Sequence, residues 1–162
     1  MKKFLCTMIV VTAAMCCGCG NNMRVSGKVT FDDGSPLTTG TVLFQGEKTT
    51  ARGQLEKDGT FTLGATKEND GLPRGETYSV CIIGANEPLP TKGGMNMALP
   101  LIADKYTSFE KSGLTFVADG KTKEMNFVVE RPDEKYIEKL KKNAQSGPDR
   151  KPPVSPFAKP GK

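Results

Sequence analysis

Apolar and polar residues alternate with a period of two over short runs of this chain, and clusters of turn residues separate the runs. In residues 24–31, Val25, Val29 and Phe31 fall on one side, while Arg24, Ser26, Lys28 and Thr30 fall on the other. That is the pattern of a strand with one buried and one wet face. Residues 41–44 carry apolar side chains on both faces, which suits a more central strand. The runs 50–56 and 60–63 flank Lys57-Asp58-Gly59, and Asp-Gly between alternating runs predicts a hairpin, because the favoured turns need positive φ. Leu55, Phe61 and Leu63 are then expected to face inward. Further strands are predicted over 77–83, 114–118 and 124–130, the last with Met125, Phe127 and Val129 alternating with Asn126, Val128 and Glu130. About seven strands with turn signals every 8–12 residues predict an all-β fold, a seven-stranded antiparallel β-sandwich over residues 24–131. Val29, Phe61, Tyr78, Val80 and Phe127 are expected to share its core.

One gap interrupts this rhythm. Residues 85–113 form a connection that is long for a compact domain, and such connections are usually functional or mobile. Past the last strand the composition changes. Pro132 and Asp133 open a stretch, 132–145, in which Tyr136, Ile137 and Leu140 share a helical face. A helix of about 11 residues is marginal unless it docks on something. Residues 146–162 contain Pro148, Pro152, Pro153, Pro156 and Pro160 among basic residues, which predicts a disordered or polyproline-like tail.

The amino-terminal segment has an export pattern. Lys2 and Lys3 precede an apolar run, Phe4 to Met15, that is too short to span a bilayer. The run closes on Met15-Cys16-Cys17-Gly18-Cys19-Gly20. A small residue before a cysteine is the cleavage pattern of bacterial lipoprotein signals, in which the cysteine thiol takes the diacylglycerol before the signal is cut. Residues 1–18 are therefore expected to be the signal peptide, Cys19 the lipidated residue, and 19–23 a linker to the membrane. Cys16 departs from the leucine usual three positions before the cut, and ordinary secretion with cleavage nearby is the alternative. Gly20 is not an aspartate, so the usual sorting rule of Gram-negative bacteria points to the outer membrane.

Cysteine and histidine usage narrows the chemistry. Cys6, Cys16 and Cys17 leave with the signal and Cys19 is acylated, so Cys81 alone remains, without a partner for an internal disulfide. Its setting in Tyr78-Ser79-Val80-Cys81-Ile82-Ile83 reads as a small buried thiol. The chain has no histidine, which removes imidazole-based triads and imidazole-bound metals. A Ser-Lys dyad stays formally open at Lys28, Lys92, Lys105 or Lys111, but nothing places a lysine in a dry pocket. Asp32, Asp33, Asp58, Asp70 and Asp119 could in principle gather round calcium. Each also has a sufficient role in a turn, and no EF-hand spacing is present. No catalytic residue, metal or cofactor is expected.

Charge is unevenly spread. Residues 19–130 hold 12 Lys and Arg against 14 Asp and Glu, while 131–162 hold 9 against 4. A nucleic-acid domain would concentrate basic residues on the fold itself. The basic tail suits anionic cell-wall polymers, headgroups or an envelope protein instead. Within 85–113, Leu101, Ile102 and Tyr106 are too apolar for a free loop and are expected either to pin the connection across a sheet edge or to contact a ligand. Met95 and Met97 beside Gly93-Gly94 suit an adaptable contact surface. Met95, Met97, Lys105 and Tyr106 are the candidate ligand or partner contacts.

Val25-Ser26-Gly27-Lys28-Val29-Thr30-Phe31, Gly34-Ser35-Pro36-Leu37 and Gly40-Thr41-Val42 resemble the start of carboxypeptidase-regulatory-like domains. Asp58-Gly59-Thr60-Phe61 and Gly71-Leu72-Pro73-Arg74-Gly75-Glu76-Thr77-Tyr78 resemble their later signature, with Arg74 where proline or a small residue is common. With Lys105-Tyr106 and Ser112-Gly113-Leu114-Thr115, the chain looks like small envelope lipoproteins of planctomycete-like bacteria. The resemblance implies a transthyretin-like sandwich of the prealbumin or Ig-like kind that is exported and non-catalytic. It implies a binding or scaffold role and carries no functional residue over. The reading from another class is an envelope enzyme or transport accessory with its site in 85–113.

Overall fold

The computed structural model describes residues 22–65, 67, 70–92, 94 and 96–146. The signal segment, Cys19, Met95 and the tail beyond residue 146 lie outside them. Strands dominate. In chain order they are β1 (Asn22–Met23), β2 (Ser26–Phe31), β3 (Thr41–Gln45), β4 (Thr50–Gln54), β5 (Thr60–Thr62), β6 (Leu72–Pro73), β7 (Thr77–Ile83), β8 (Asn86–Pro90), β9 (Asn96–Pro100), β10 (Leu114–Val117) and β11 (Glu124–Val129). A 3-10 turn (Asp104–Thr107) and helix α1 (Phe109–Ser112) precede β10, and helix α2 (Glu134–Ser146) follows β11. No helix among the described residues is long and apolar enough to cross a membrane.

Two main sheets, in the orders β10-β7-β3-β4 and β11-β2-β5, enclose one core. Alternation builds it. Val29 and Phe31 of β2, Val42 and Phe44 of β3, and Met125, Phe127 and Val129 of β11 are buried at every second position. The Phe44 ring lies 6.3 Å from Phe61 and 6.2 Å from Phe127, so side chains of the two sheets meet at the centre. Val29, Phe61, Tyr78, Val80 and Phe127 do share this core.

The two main sheets hold seven strands, and the two-stranded sheets β1-β6 and β8-β9 bring the described residues to eleven. The expectation of wholly antiparallel pairing is corrected. One pairing is parallel: β11 runs beside β2 in the register Gly27↔Met125, Val29↔Phe127 and Phe31↔Val129. A period of two is the same in either direction, so it says nothing about strand polarity. Parallel neighbours need a long crossover, and here the body of the domain supplies it.

The Asp-Gly hairpin is also only partly as expected. The Gly59 N–H donates to the Glu56 carbonyl at 2.9 Å and the Glu56 N–H to the Thr60 carbonyl at 2.8 Å, which closes a tight turn. Its two arms then part. β4 pairs with β3 and β5 pairs with β2, leaving an Arg52–Gly64 bridge between them. The turn therefore carries the chain from one sheet to the other.

Parallel pairing brings the ends of β2 and β11 together, and a clasp forms there. The Arg131 guanidinium lies 3.8 Å from the centre of the Phe31 ring and donates to Asp33 Oδ2 at 3.0 Å and to Ser35 Oγ at 2.9 Å. Donation from the Ser35 hydroxyl, then from its backbone N–H, then from Arg131, holds the Asp33 carboxyl at about 2, below the usual 3.8. A depressed carboxylate pKa contributes stability that is complete above the unfolded value and lost as pH falls through the folded one. The melting-temperature gap between wild type and Asp33→Asn is thus expected to stay level from neutral pH to about 4 and to close towards pH about 2. A gap of constant size across that window, on calorimetry, would show that the carboxylate adds nothing.

Candidate functional site

The long connection is not a free loop. β8 and β9 pair with each other from Asn86↔Pro100 to Pro90↔Asn96. The proline content of this hairpin excludes a central place in a sheet, and it stands apart from the main sheets. Beyond it the chain is tied down by hydrogen bonds to distant segments. The Leu101 N–H donates to the Ala85 carbonyl and the Ala103 N–H to the Glu130 carbonyl, both at 2.9 Å. Inside the fold, the buried Ser112 hydroxyl donates to the Val80 carbonyl at 2.5 Å.

α2 docks on this hairpin. Asp133 Oδ1 accepts the N–H groups of Lys135 at 2.8 Å and Tyr136 at 3.4 Å, the side-chain capping that starts a helix. Ile137, Leu140 and Ala144, spaced three and four apart, are the residues α2 withdraws from solvent, and Ala144 is fully buried. The helix contacts both β8 and β9, and the Lys92 N–H donates to the Ala144 carbonyl at 3.2 Å near the helix end. Docking answers the marginal length of the helix.

Between the root of the hairpin, the 3-10 turn and the first turn of α2 lies an open pocket of about 630 Å³, within the usual range for small-molecule sites. Ala85 and Ile102, both buried, form its floor. Ile83, Pro100, Ala103 and Pro132 add aliphatic surface. Asn86, Asp104, Thr107, Asp133 and Tyr136, all exposed, bring the polar atoms. Four large apolar side chains are exposed among the described residues, and two of them, Ile83 at 42% and Tyr136 at 52%, line this pocket.

The candidates named from the sequence fall elsewhere. Met95 lies outside the described residues. Met97 is half-buried on β9, opposite Leu89. Lys105 is engaged with Glu130 at 2.6 Å, which raises its pKa, and it lies 4.9 Å from the Tyr106 ring. Tyr106 itself is buried in the core cluster. None of the described three lines the pocket. The pocket residues overlooked in the sequence are Ile83, Asp104, Asp133 and Tyr136. Asp133 and Tyr136 stood in view as helix-forming residues, but nothing in the linear pattern brings 132–136 beside 83–86.

The turn aspartates do turn work. Asp58 accepts the Thr60 N–H at 3.0 Å and the Thr60 hydroxyl at 2.6 Å, and that hydroxyl is the main reason its pKa is lowered. Asp119 accepts the N–H groups of Lys121 at 2.8 Å and Thr122 at 2.9 Å, with its pKa lowered chiefly by Thr122. Asp70 accepts from the Ala65 and Lys67 N–H groups. Among the described residues, no three of the Cys, Asp and Glu side chains gather in a way that could hold a metal ion. Cys81 is buried and unpaired, and burial pushes its thiol pKa up, away from a reactive thiolate.

Comparison with known protein families, with curated proteins and with solved structures finds no match.

Proposed function

We propose that this chain is an exported lipoprotein of the cell envelope, held to the outer membrane by a lipid on Cys19. Its β-sandwich, of the prealbumin or Ig-like kind and similar to carboxypeptidase-regulatory-like domains, is a non-catalytic binding module. Its binding surface is the pocket between β8–β9, the 3-10 turn and α2. The observation that carries the binding role is the gathering of Ile83 and Tyr136, large and exposed, in one aliphatic hollow. Exposed apolar area collected in a cleft marks a contact site, whereas the same residues scattered singly need no explanation. The export reading rests on the lysines, apolar run and Gly18-Cys19 junction of the amino-terminal segment. The basic Pro-rich segment 146–162 supplies a second means of contact, with anionic envelope polymer or an envelope protein.

Replacing Cys19 by Ser tests the anchor. Processing and lipid transfer need the thiol, so the variant is expected to lose detergent partitioning and to leave the membrane fraction. Unchanged partitioning of Cys19→Ser would overturn the lipoprotein reading.

A further inference from the structure

The geometry points to an organic cation with an apolar body, an ammonium or guanidinium carried on a hydrocarbon or aromatic frame, as the ligand class of the pocket. This inference rests on the binding role proposed above and specifies it. The aliphatic floor, Ala85 and Ile102 with Pro100 and Pro132 beside them, can bury a hydrocarbon frame. Charge at the pocket has one sign. Asp104 and Asp133 both line it, and no Lys or Arg does among the described residues.

Two neighbouring cations are committed elsewhere, and Lys135, which makes no ion pair among the described residues, does not line the pocket. Lys105 pairs with Glu130 and Arg131 with Asp33; these are the ion pairs among the described residues, so neither Asp104 nor Asp133 belongs to one. A metal ion fits poorly, because calcium asks for six to eight oxygens and the described residues gather no group of three candidate ligands. Tyr136 adds an exposed ring at the rim, whose face attracts a cationic head. An amine that lays its frame on the floor with its charge beside a lining carboxylate satisfies each of these features.

Three probes of matched size separate the possibilities: phenethylammonium, phenylpropanol and phenylpropionate. Each is titrated into the isotope-labelled full-length protein while the backbone amides of Ala85, Thr107 and Tyr136 are followed by NMR. Phenethylammonium is expected to shift these amides to saturation, to bind more tightly than the alcohol, and to weaken when salt is raised to about 1 M. Phenylpropionate is expected to bind weakest. The double variant Asp104→Asn, Asp133→Asn is expected to bind phenethylammonium about tenfold more weakly. Asn caps a helix as well as Asp does, so α2 remains in place, and unchanged amide spectra away from the pocket check this. If the alcohol binds as well as the ammonium and the double variant loses nothing, the pocket is a binding site without preference for cations, and this inference falls alone. If no probe moves the pocket amides, the inference and the binding role both fall.

Discussion

Phe44→Ala is expected to lower stability by about 3–5 kcal/mol, the range for truncating a fully buried aromatic residue. Phe44 has no exposed surface. Its ring has neighbours from both main sheets: Phe61 at 6.3 Å, Tyr78 at 6.4 Å, Phe127 at 6.2 Å, and Phe116 at 6.0 Å in an edge-on contact. Removing it opens a cavity that rings held by separate sheets can fill only by moving those sheets. In a domain of about 5–15 kcal/mol such a loss is severe. Urea unfolding of Phe44→Ala beside Val128→Ala gives the contrast, since Val128 on the outer face of β11 is 58% exposed and is expected to cost about 0.5 kcal/mol or less. A Phe44→Ala loss under about 1 kcal/mol would mean that the rings do not form one packed centre.

Gly71→Ala is expected to cost about 2–5 kcal/mol through backbone strain and collision together. Gly71 has φ of +82°, where an L side chain is strained. A Cβ there would also run into the Met23 carbonyl and, at 2.9 Å, the Arg24 nitrogen, which are backbone atoms that cannot swing aside. The displaced segment includes Met23, paired with Leu72 in the small β1-β6 sheet. Gly75 provides the control: its φ is +86° and a Cβ would meet nothing within 4 Å. Gly75→Ala should then show only the conformational part, about 1–2 kcal/mol. Equal losses for the two variants would show that the close approach at Gly71 is not limiting.

Faces were legible in the sequence and partners were not. Val29, Phe31, Met125, Phe127 and Val129 declare their side by local alternation, and the observed strands end within a residue or two of those predicted. Polarity and pairing depend on distant segments. The parallel β2–β11 ladder and the parting of β4 from β5 therefore had no local signal. The β8–β9 hairpin was hidden by Pro88, Pro90 and Pro100, which speak against a strand unless, as here, it stands outside the main sheets. The pocket was half visible. Part of the lining falls within the long connection 85–113, but the pocket is assembled from 83–86, 100–107 and 132–136. Flexible methionines and an aromatic-basic pair drew notice within that region, whereas the pocket takes its character from small aliphatic residues and two ordinary-looking aspartates.

The clasp between the ends of β2 and β11 joins residues 98 apart, Asp33 and Arg131. Closing a chain segment of that length costs about 4 kcal/mol of entropy before any contact offsets it. Folding dominated by such distant pairings belongs to the slower regime, milliseconds to seconds. For a chain exported as proposed, β2 crosses first and must wait for Glu124–Val129 before its parallel edge is filled. Local pieces such as the β8–β9 hairpin can form and dissolve in the meantime. The three-stranded sheet is therefore completed only when its last strand arrives, whereas the four-stranded sheet needs nothing beyond β10.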